Sequence, residues 1–514
     1  VRERKAGTIL DPGALRFAPA PPLDAHYAAP STGFCMSTYD LRIRNATIYD
    51  GSGAAPLRGD LAIADGRIAA IGDCRGTAAD EFDATGLAVA PGFIDVHTHD
   101  DRLLLADPAM TPKLSQGVTT VVVGNCGISL APLGARPAVP PLNLVADEAA
   151  SQRFDSFAAY FAALEANPPA VNCAALVGHT TLRVATMSAL DRSASDAEID
   201  AMRSLVREAL AAGAIGASTG TYYAPANAAT ADEIARVLEP LRGTQALIAS
   251  HIRDEGERVL ESMTEAMDIA ARIGVRQVIS HHKVIGRANF GRSRETLALL
   301  DAARARADVC LDCYPYTASS TVLRADAAKQ AQRVLIAWSK TRPDAAGRFL
   351  DELAAETKLH TDALIDALQP AGAIYFSMDE ADVERILAYP ETMIGSDGLP
   401  HDAFPHPRLW GAFPRVLGLY ARERGLFPLE VALHKMTGLA ADRFGLRNRG
   451  RLRCGFHADL VVFDPQTVED AATFAQPMQP ARGIAAVYVN GALAWREGKS
   501  TGARAGRVIR RGDA

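Results

Sequence analysis

Six side chains able to hold a metal stand out along the chain: His97 and His99 in DVHTHDD, Cys126 in GNCG, His251 in ASH, His281 in ISHHK and Asp397 in GSDG. His97 and His99 are two residues apart at the end of an apolar run. In an extended strand that spacing puts both imidazoles on one face, within reach of one ion. A metal held this way polarises a carbonyl and activates water for hydrolysis. Any one histidine at a strand end is more often an ordinary hydrogen-bonding residue. The convergence of six such groups on five strand ends reverses that weighting.

The elements that must position them alternate along the chain. Short apolar runs followed by helical stretches indicate βα units and a parallel sheet. Eight runs are present, at VAPGFIDVH, VTTVVVGN, CAALVGH, AIGASTG, ALIASH, VRQVISH, VCLDCYPY and MIGSDG. Eight is the number that closes a (β/α)8 barrel of the TIM type, an α/β fold whose sites lie at the C-terminal ends of its strands. The candidate residues sit at those ends. Ser195 with Glu198 and Thr230 with Glu233 fit the start of a helix, and Gly117, Gly213 and Gly274 fit its end. Cys310 and Cys313 form a CxxC, but in a strand they point to opposite faces, so neither a zinc pair nor a redox pair is expected.

Before and after the barrel the texture changes. Alternating segments with Gly, Asp and Asn punctuation occupy residues 37–90 and return at 440–514, in HADLVVFDP and AAVYVNGALAWREG. They are expected to pair into one small β-sandwich built from both chain ends. The barrel then spans 91–439. Residues 319–391, before the last barrel strand, are too long for a usual connection and are expected to form a helical insertion that covers the site as a lid. Residues 1–36, rich in Ala and Pro, carry no core-forming period. They are expected to be a disordered extension, with the folded chain beginning near Met36.

Composition sets the class. At 514 residues, 48 % hydrophobic and 22 % charged, the chain is an ordinary globular protein large enough for a barrel and satellites. Its net charge of −6 argues against nucleic acid or an anionic membrane as partner. No apolar run approaches the ~20 residues of a membrane span. Seven scattered cysteines do not make a disulfide framework, so a reducing cytoplasm is expected.

The motifs PGFIDVHTHDD, VVVGNCG, ASHIRDEG, ISHHKVIGRANFGRSRET, DCYPYTASST and IGSDGLPHDAFPHPRLWGAFPRVLG resemble those of the D-aminoacylase (N-acyl-D-amino-acid deacylase) family of the amidohydrolase superfamily. The resemblance runs from about Tyr39 to the C-terminus. It implies Zn2+ held tightly by Cys126, His251 and His281. His97, His99 and Asp397, sharing Cys126, would form a second, weaker or partly occupied site. The thiolate replaces the carboxylated lysine of other binuclear amidohydrolases, and the fourth strand, AIGASTGTYY, contains no lysine. His282 would stand behind His281.

The implied reaction is hydrolysis of a small-molecule N-acyl-D-amino acid by a metal-activated water, with Asp397 as general base and then acid. By the same resemblance Tyr223, Lys283, Tyr314 and Arg408 bind the substrate's α-carboxylate, while Tyr222, Tyr375 and Met378 line the side-chain pocket. Those pocket residues suggest an apolar or uncharged side chain, unless Arg324 points inward. A cyclic amidase or a deaminase is the main alternative, and a non-catalytic scaffold a remote one, since it would have lost these ligands.

Overall fold

The computed structural model describes residues 38–146 and 153–513, so the extension expected at 1–36 lies outside the described residues. Eight parallel strands form the central sheet: β1 (Phe93–Asp95), β2 (Val118–Val123), β3 (Asn172–Gly178), β4 (Gly216–Gly220), β5 (Leu247–His251), β6 (Arg276–Ile279), β7 (Val309–Cys313) and β8 (Thr392–Ile394). Each pairs with the next in chain order. The ring closes just beyond the ends of β8 and β1, where Asp397 N donates to His97 O at 2.7 Å and His99 N to Gly398 O at 3.1 Å. Three of the expected metal ligands, His97, His99 and Asp397, therefore form the seam with their own backbone.

Alternation fills the barrel below the site. Val96, Val122, Leu176, Leu247, Val278, Cys310 and Met393 point inward and share one apolar cluster. Cys313 belongs to the cluster outside the barrel, as expected for a residue of opposite parity to Cys310. Leu439 and Phe444, from the helix Gly438–Phe444, join the interior cluster, as do Leu446 and Ile509. Residues 440–446 and 509, expected in the terminal sheet, thus serve the barrel core. Helix Asp196–Ala212 starts with the expected Ser195–Glu198 capping box and ends on left-handed Gly213. At Thr230 only half the motif forms: its hydroxyl accepts from Glu233 N, and the Glu233 side chain turns to Arg183.

The chain ends meet in one nine-stranded sheet. Ala88–Pro91 pairs antiparallel with Leu460–Phe463, and Thr38–Ile48 lies beside Ala88–Pro91. All nine strands are hydrogen-bonded into a single sheet. Its apolar core includes Ile43, Ile63, Leu460 and Val462.

The insertion differs from an all-helical reading. It carries the expected helices Leu350–Thr357 and Thr361–Leu368, but also a three-stranded antiparallel sheet of Ala318–Val322, Arg333–Ser339 and Ala371–Phe376. RVLIAWS, read from the sequence as helical, is a strand. Its β-branched and aromatic residues favour the pleated surface once Ile374 and Phe376 offer a partner.

A buried network locks the seam. Lys113 Nζ lies 2.7 Å from Asp95 Oδ2, 3.0 Å from Thr98 Oγ1 and 2.8 Å from Ser396 Oγ, with Asp100 Oδ2 at 3.3 Å. Ser396 in turn donates N–H and O–H to the two oxygens of Asp95. Burial alone would lower the Lys113 pKa, but Asp100 and Asp95 outweigh it and raise it. Lys113→Met is therefore expected to cost about 3–5 kcal/mol, because it leaves buried carboxylates without their cation. A fall in the thermal midpoint, with the zinc content recorded alongside, would show it. An unchanged midpoint would mean that the seam does not depend on this pair.

Among the described residues no helix is long and apolar enough to cross a membrane. The six described cysteines are free, and of these only Cys454 is exposed.

Candidate active site

All six candidate ligands converge at the C-terminal mouth of the barrel. Cys126 Sγ lies 3.2 Å from His97 Nε2 and 3.3 Å from His281 Nε2, and His281 Nε2 lies 3.0 Å from His251 Nδ1. Asp397 Oδ1 is 3.3 Å from His99 Nε2 and 3.6 Å from His97 Nε2. One ligand atom from each of His97, Cys126, His281 and Asp397 falls within a common 4.8 Å, and His251, Glu255 and His281 make a second such group. A buried thiolate, imidazoles and a carboxylate form a donor set suited to Zn2+. The Nδ1 atoms of His97 and His99 and the Nε2 atom of His251 are buried without a hydrogen-bond partner among the described residues. The residues present fit a metal centre.

Three of these residues reach the site through strained backbone. Cys126, His281 and Asp397 have φ of 53°, 34° and 49°, the left-handed region that non-glycine residues avoid at a cost of roughly 1–3 kcal/mol each. At His281 the consequence is clear. Alternation from Val278, which faces inward, would send 280 and 282 into the barrel. The left-handed turn swings His281 to the cluster instead and leaves His282 outside, with Nε2 2.8 Å from Thr296 Oγ1. Close backbone approach supports the same region: a Cβ on Gly395 would come within 2.5 Å of His97 Cβ, and one on Gly220 within 2.0 Å of Cys126 O.

The site holds its charges as anions and cations in contact. Burial alone would raise the Asp397 carboxyl, but the Arg408 guanidinium, with Nη1 2.9 Å from Oδ2, holds it well below the usual range. For the Cys126 thiol burial is again outweighed, by His97 and His281, and its pKa is well below the ordinary value. Asp312, from β7, lies 3.4 Å from His97 Nδ1 and accepts from His281 N at 2.9 Å. Glu255 lies 2.6 Å from Lys283 Nζ and 3.3 Å from His281 Nδ1.

Above the cluster opens a cavity lined by His99, Tyr222, Tyr223, His251, Glu255, His281, Lys283, Tyr375 and Asp397. The insertion supplies much of its wall, through Ser319, Ser320, Thr321 and Tyr375. Tyr222 stacks on the His251 ring with centroids 5.1 Å apart. Tyr223 OH is 3.0 Å from Thr321 Oγ1, and Tyr375 OH donates to Val322 O. Tyr314, Arg408 and Met378 sit one layer back. The Arg408 guanidinium lies 4.5 Å from the Tyr314 ring centroid, and its Nη2 donates to Ser320 O. Met378 belongs to a separate small cavity with Tyr314, Tyr316 and Val383, so it does not line the main one. Arg324 is 4.5 Å above the Tyr222 ring and paired with Asp326.

Four residues of this site escaped the sequence reading: Asp95, Lys113, Glu255 and Asp312. Asp312 could have been found, since it shares the inward parity of Cys310 at a strand end. Glu255 follows His251 through a loop without period, and no spacing marks it.

Comparison with known proteins agrees with this geometry. The sequence profile of the amidohydrolase family matches residues 80–494. A D-aminoacylase of Alcaligenes xylosoxydans xylosoxydans is 57 % identical over 474 residues, covering 92 % of this chain and 98 % of the relative. An N-acyl-D-aspartate deacylase of the same organism is 54 % identical, over 92 % and 96 %. The solved structure of N-acyl-D-glutamate deacylase from Bordetella bronchiseptica, complexed with zinc and a phosphonate mimic of the tetrahedral intermediate, superposes with a TM-score of 0.88. It is 45 % identical and covers 92 % of this chain and all of that one. With a closed parallel barrel, this cluster of ligands and relatives matched over nearly their whole length, the chain belongs to the D-aminoacylase group of the amidohydrolase family.

Proposed function

We propose that this protein is a zinc-dependent hydrolase that cleaves N-acyl-D-amino acids into a carboxylate and a free D-amino acid. The observation that carries this is Asp397. One of its oxygens faces the ligand cluster and the other is clamped by Arg408 at the floor of a cavity. Cys126, His251 and His281 would hold the tighter zinc, with His97, His99 and Asp397 forming a weaker site around the shared Cys126. Zinc bound there supplies Lewis acidity to the scissile carbonyl and to water. Asp397, kept anionic by Arg408, accepts a proton at Oδ1 and returns it to the leaving amine. Lys283 presents its ammonium to the cavity, where it meets the α-carboxylate. Arg408, buried behind Asp397, acts mainly through that carboxylate, with Nε as its reserve donor. Tyr223, hydrogen-bonded to Thr321, fixes the wall opposite.

The side-chain pocket favours an uncharged D-residue. Tyr222 and Tyr375 line it, and Arg324, the cation over the Tyr222 ring, is paired with Asp326. A reducing cytoplasm is the compartment that we infer, a reading supported by the free thiols of the described cysteines. Amine release from a panel of N-acetyl-D- and N-acetyl-L-amino acids, with zinc-loaded protein, tests the reading. Turnover is expected for D-substrates alone, with uncharged side chains ahead of acidic ones. Turnover of L-substrates, or none at all, would overturn it, and a preference for acidic side chains would reassign Arg324 to the pocket.

A further inference from the structure

Glu255 is nearly enclosed, and a single one of its oxygens is the nearest carboxylate to three functional groups. Oε1 lies 2.6 Å from Lys283 Nζ, 3.3 Å from His281 Nδ1 and 3.7 Å from His251 Nε2. These are the outer nitrogens of the two histidines. The inner ones, His281 Nε2 and His251 Nδ1, face each other, and His281 Nε2 also meets the thiolate. A histidine that gives its inner nitrogen to a metal in the neutral form carries its proton on the outer one, and that proton needs an acceptor. Lys283 Nζ, although 2.7 Å from His281 Nδ1, is an ammonium and has no lone pair to offer. With an ion on Nε2, Glu255 Oε1, 3.3 Å away, is the carboxylate within reach of that proton of His281, and it is also the carboxylate within 4 Å of His251 Nε2, at 3.7 Å, which has no hydrogen-bond partner among the described residues.

We propose that Glu255 is a positioning residue that serves metal and substrate together: one buried carboxylate oxygen orients His251 and His281 for the ion and fixes the ammonium of Lys283 for the substrate's α-carboxylate. The substrate half rests on the deacylase reading above; the metal half stands on the geometry alone. The arrangement couples the two sites chemically. The carboxylate sets a negative charge behind both ligands and, by neutralising Lys283, keeps a buried cation from opposing the ion. Its loss would leave Lys283 beside two ligands with its charge unbalanced.

The test uses the full-length holoenzyme and three variants: Glu255→Gln, Lys283→Met and the double change. Zinc affinity is read by competition with a chelator, and kcat and KM with an N-acetyl-D-amino acid at saturating zinc. Glu255→Gln is expected to weaken zinc by roughly 10–100-fold, the usual cost of removing a partner behind a ligand, and to raise KM more than it lowers kcat. Lys283→Met is expected to raise KM while keeping zinc. In the double variant the KM effect of Glu255→Gln should vanish, because it acts through Lys283, while the zinc effect persists. Wild-type zinc affinity in Glu255→Gln, or a KM effect that survives without Lys283, would overturn the proposal. If Glu255→Gln does not fold, Lys283→Met decides: loss of zinc there would refute the division of labour. A parent protein that turns over no N-acyl-D-amino acid would sink the deacylase reading, and the zinc measurement would still judge the metal half of Glu255's role.

Discussion

Asp397→Ala is expected to lower turnover by roughly 10²–10⁴-fold, the range for loss of a general acid–base group, while the protein keeps tightly bound zinc. The two outcomes separate because Asp397 stands at the edge of the cluster. Its Oδ1 contacts His97 and His99, whereas Cys126, His251 and His281 meet without it. The alanine variant also leaves Arg408, fully buried, without its carboxylate, so a loss of stability accompanies the loss of rate. Asp397→Asn is the control. It keeps the shape and an oxygen for Arg408 but cannot take up a proton at ordinary pH. Both variants should be equally inactive, with the asparagine form the more stable. Turnover near wild type in either one would remove Asp397 from the proton transfer.

The second large effect is on the metal. Cys126→Ala removes the sulfur that lies between His97 and His281, the one soft ligand of the cluster. Losing only a partner behind a ligand costs roughly 10–100-fold in affinity, so losing the ligand itself should cost more. Metal analysis after dialysis against a chelator is expected to find the variant stripped under conditions where the parent stays loaded, and activity should fall with it. Cys126→Ser should behave like the alanine form, since an alcohol does not ionise in this setting. Full zinc retention by either would show that the thiolate is not a ligand.

The barrel and the cluster of candidate residues at its mouth were legible because both depend on local pattern. Eight apolar runs alternating with helical stretches imply a ring, and a parallel strand ends where its apolar run ends, so His251 and Asp397 could be placed at the mouth. Less legible was anything decided by a single backbone angle or a distant partner. His281 and His282 cannot be told apart by alternation, since the left-handed turn at His281 breaks it. RVLIAWS has the composition of a buried helix or a strand, and only its pairing with Ala371–Phe376 decides. Met378, within the insertion, falls behind Tyr314 and not into the main cavity. Lys113 looks like any surface lysine until Asp95 and Ser396, nearly the whole barrel apart in sequence, close around it.

The seam between β8 and β1 also imposes an order on how this molecule becomes active. His97 and Asp397 are about 300 residues apart, and contacts of such separation form late because the loop between them must close first. During synthesis the thiolate and the early histidines emerge well before the strand that carries Asp397, and Arg408 later still. A nascent chain therefore carries the proposed metal ligands while Asp397, the proposed proton acceptor, is still missing and the cavity is open. Hydrolysis begins only when the last barrel strand docks against the first, so the step that completes the ring is also the step that switches on the chemistry.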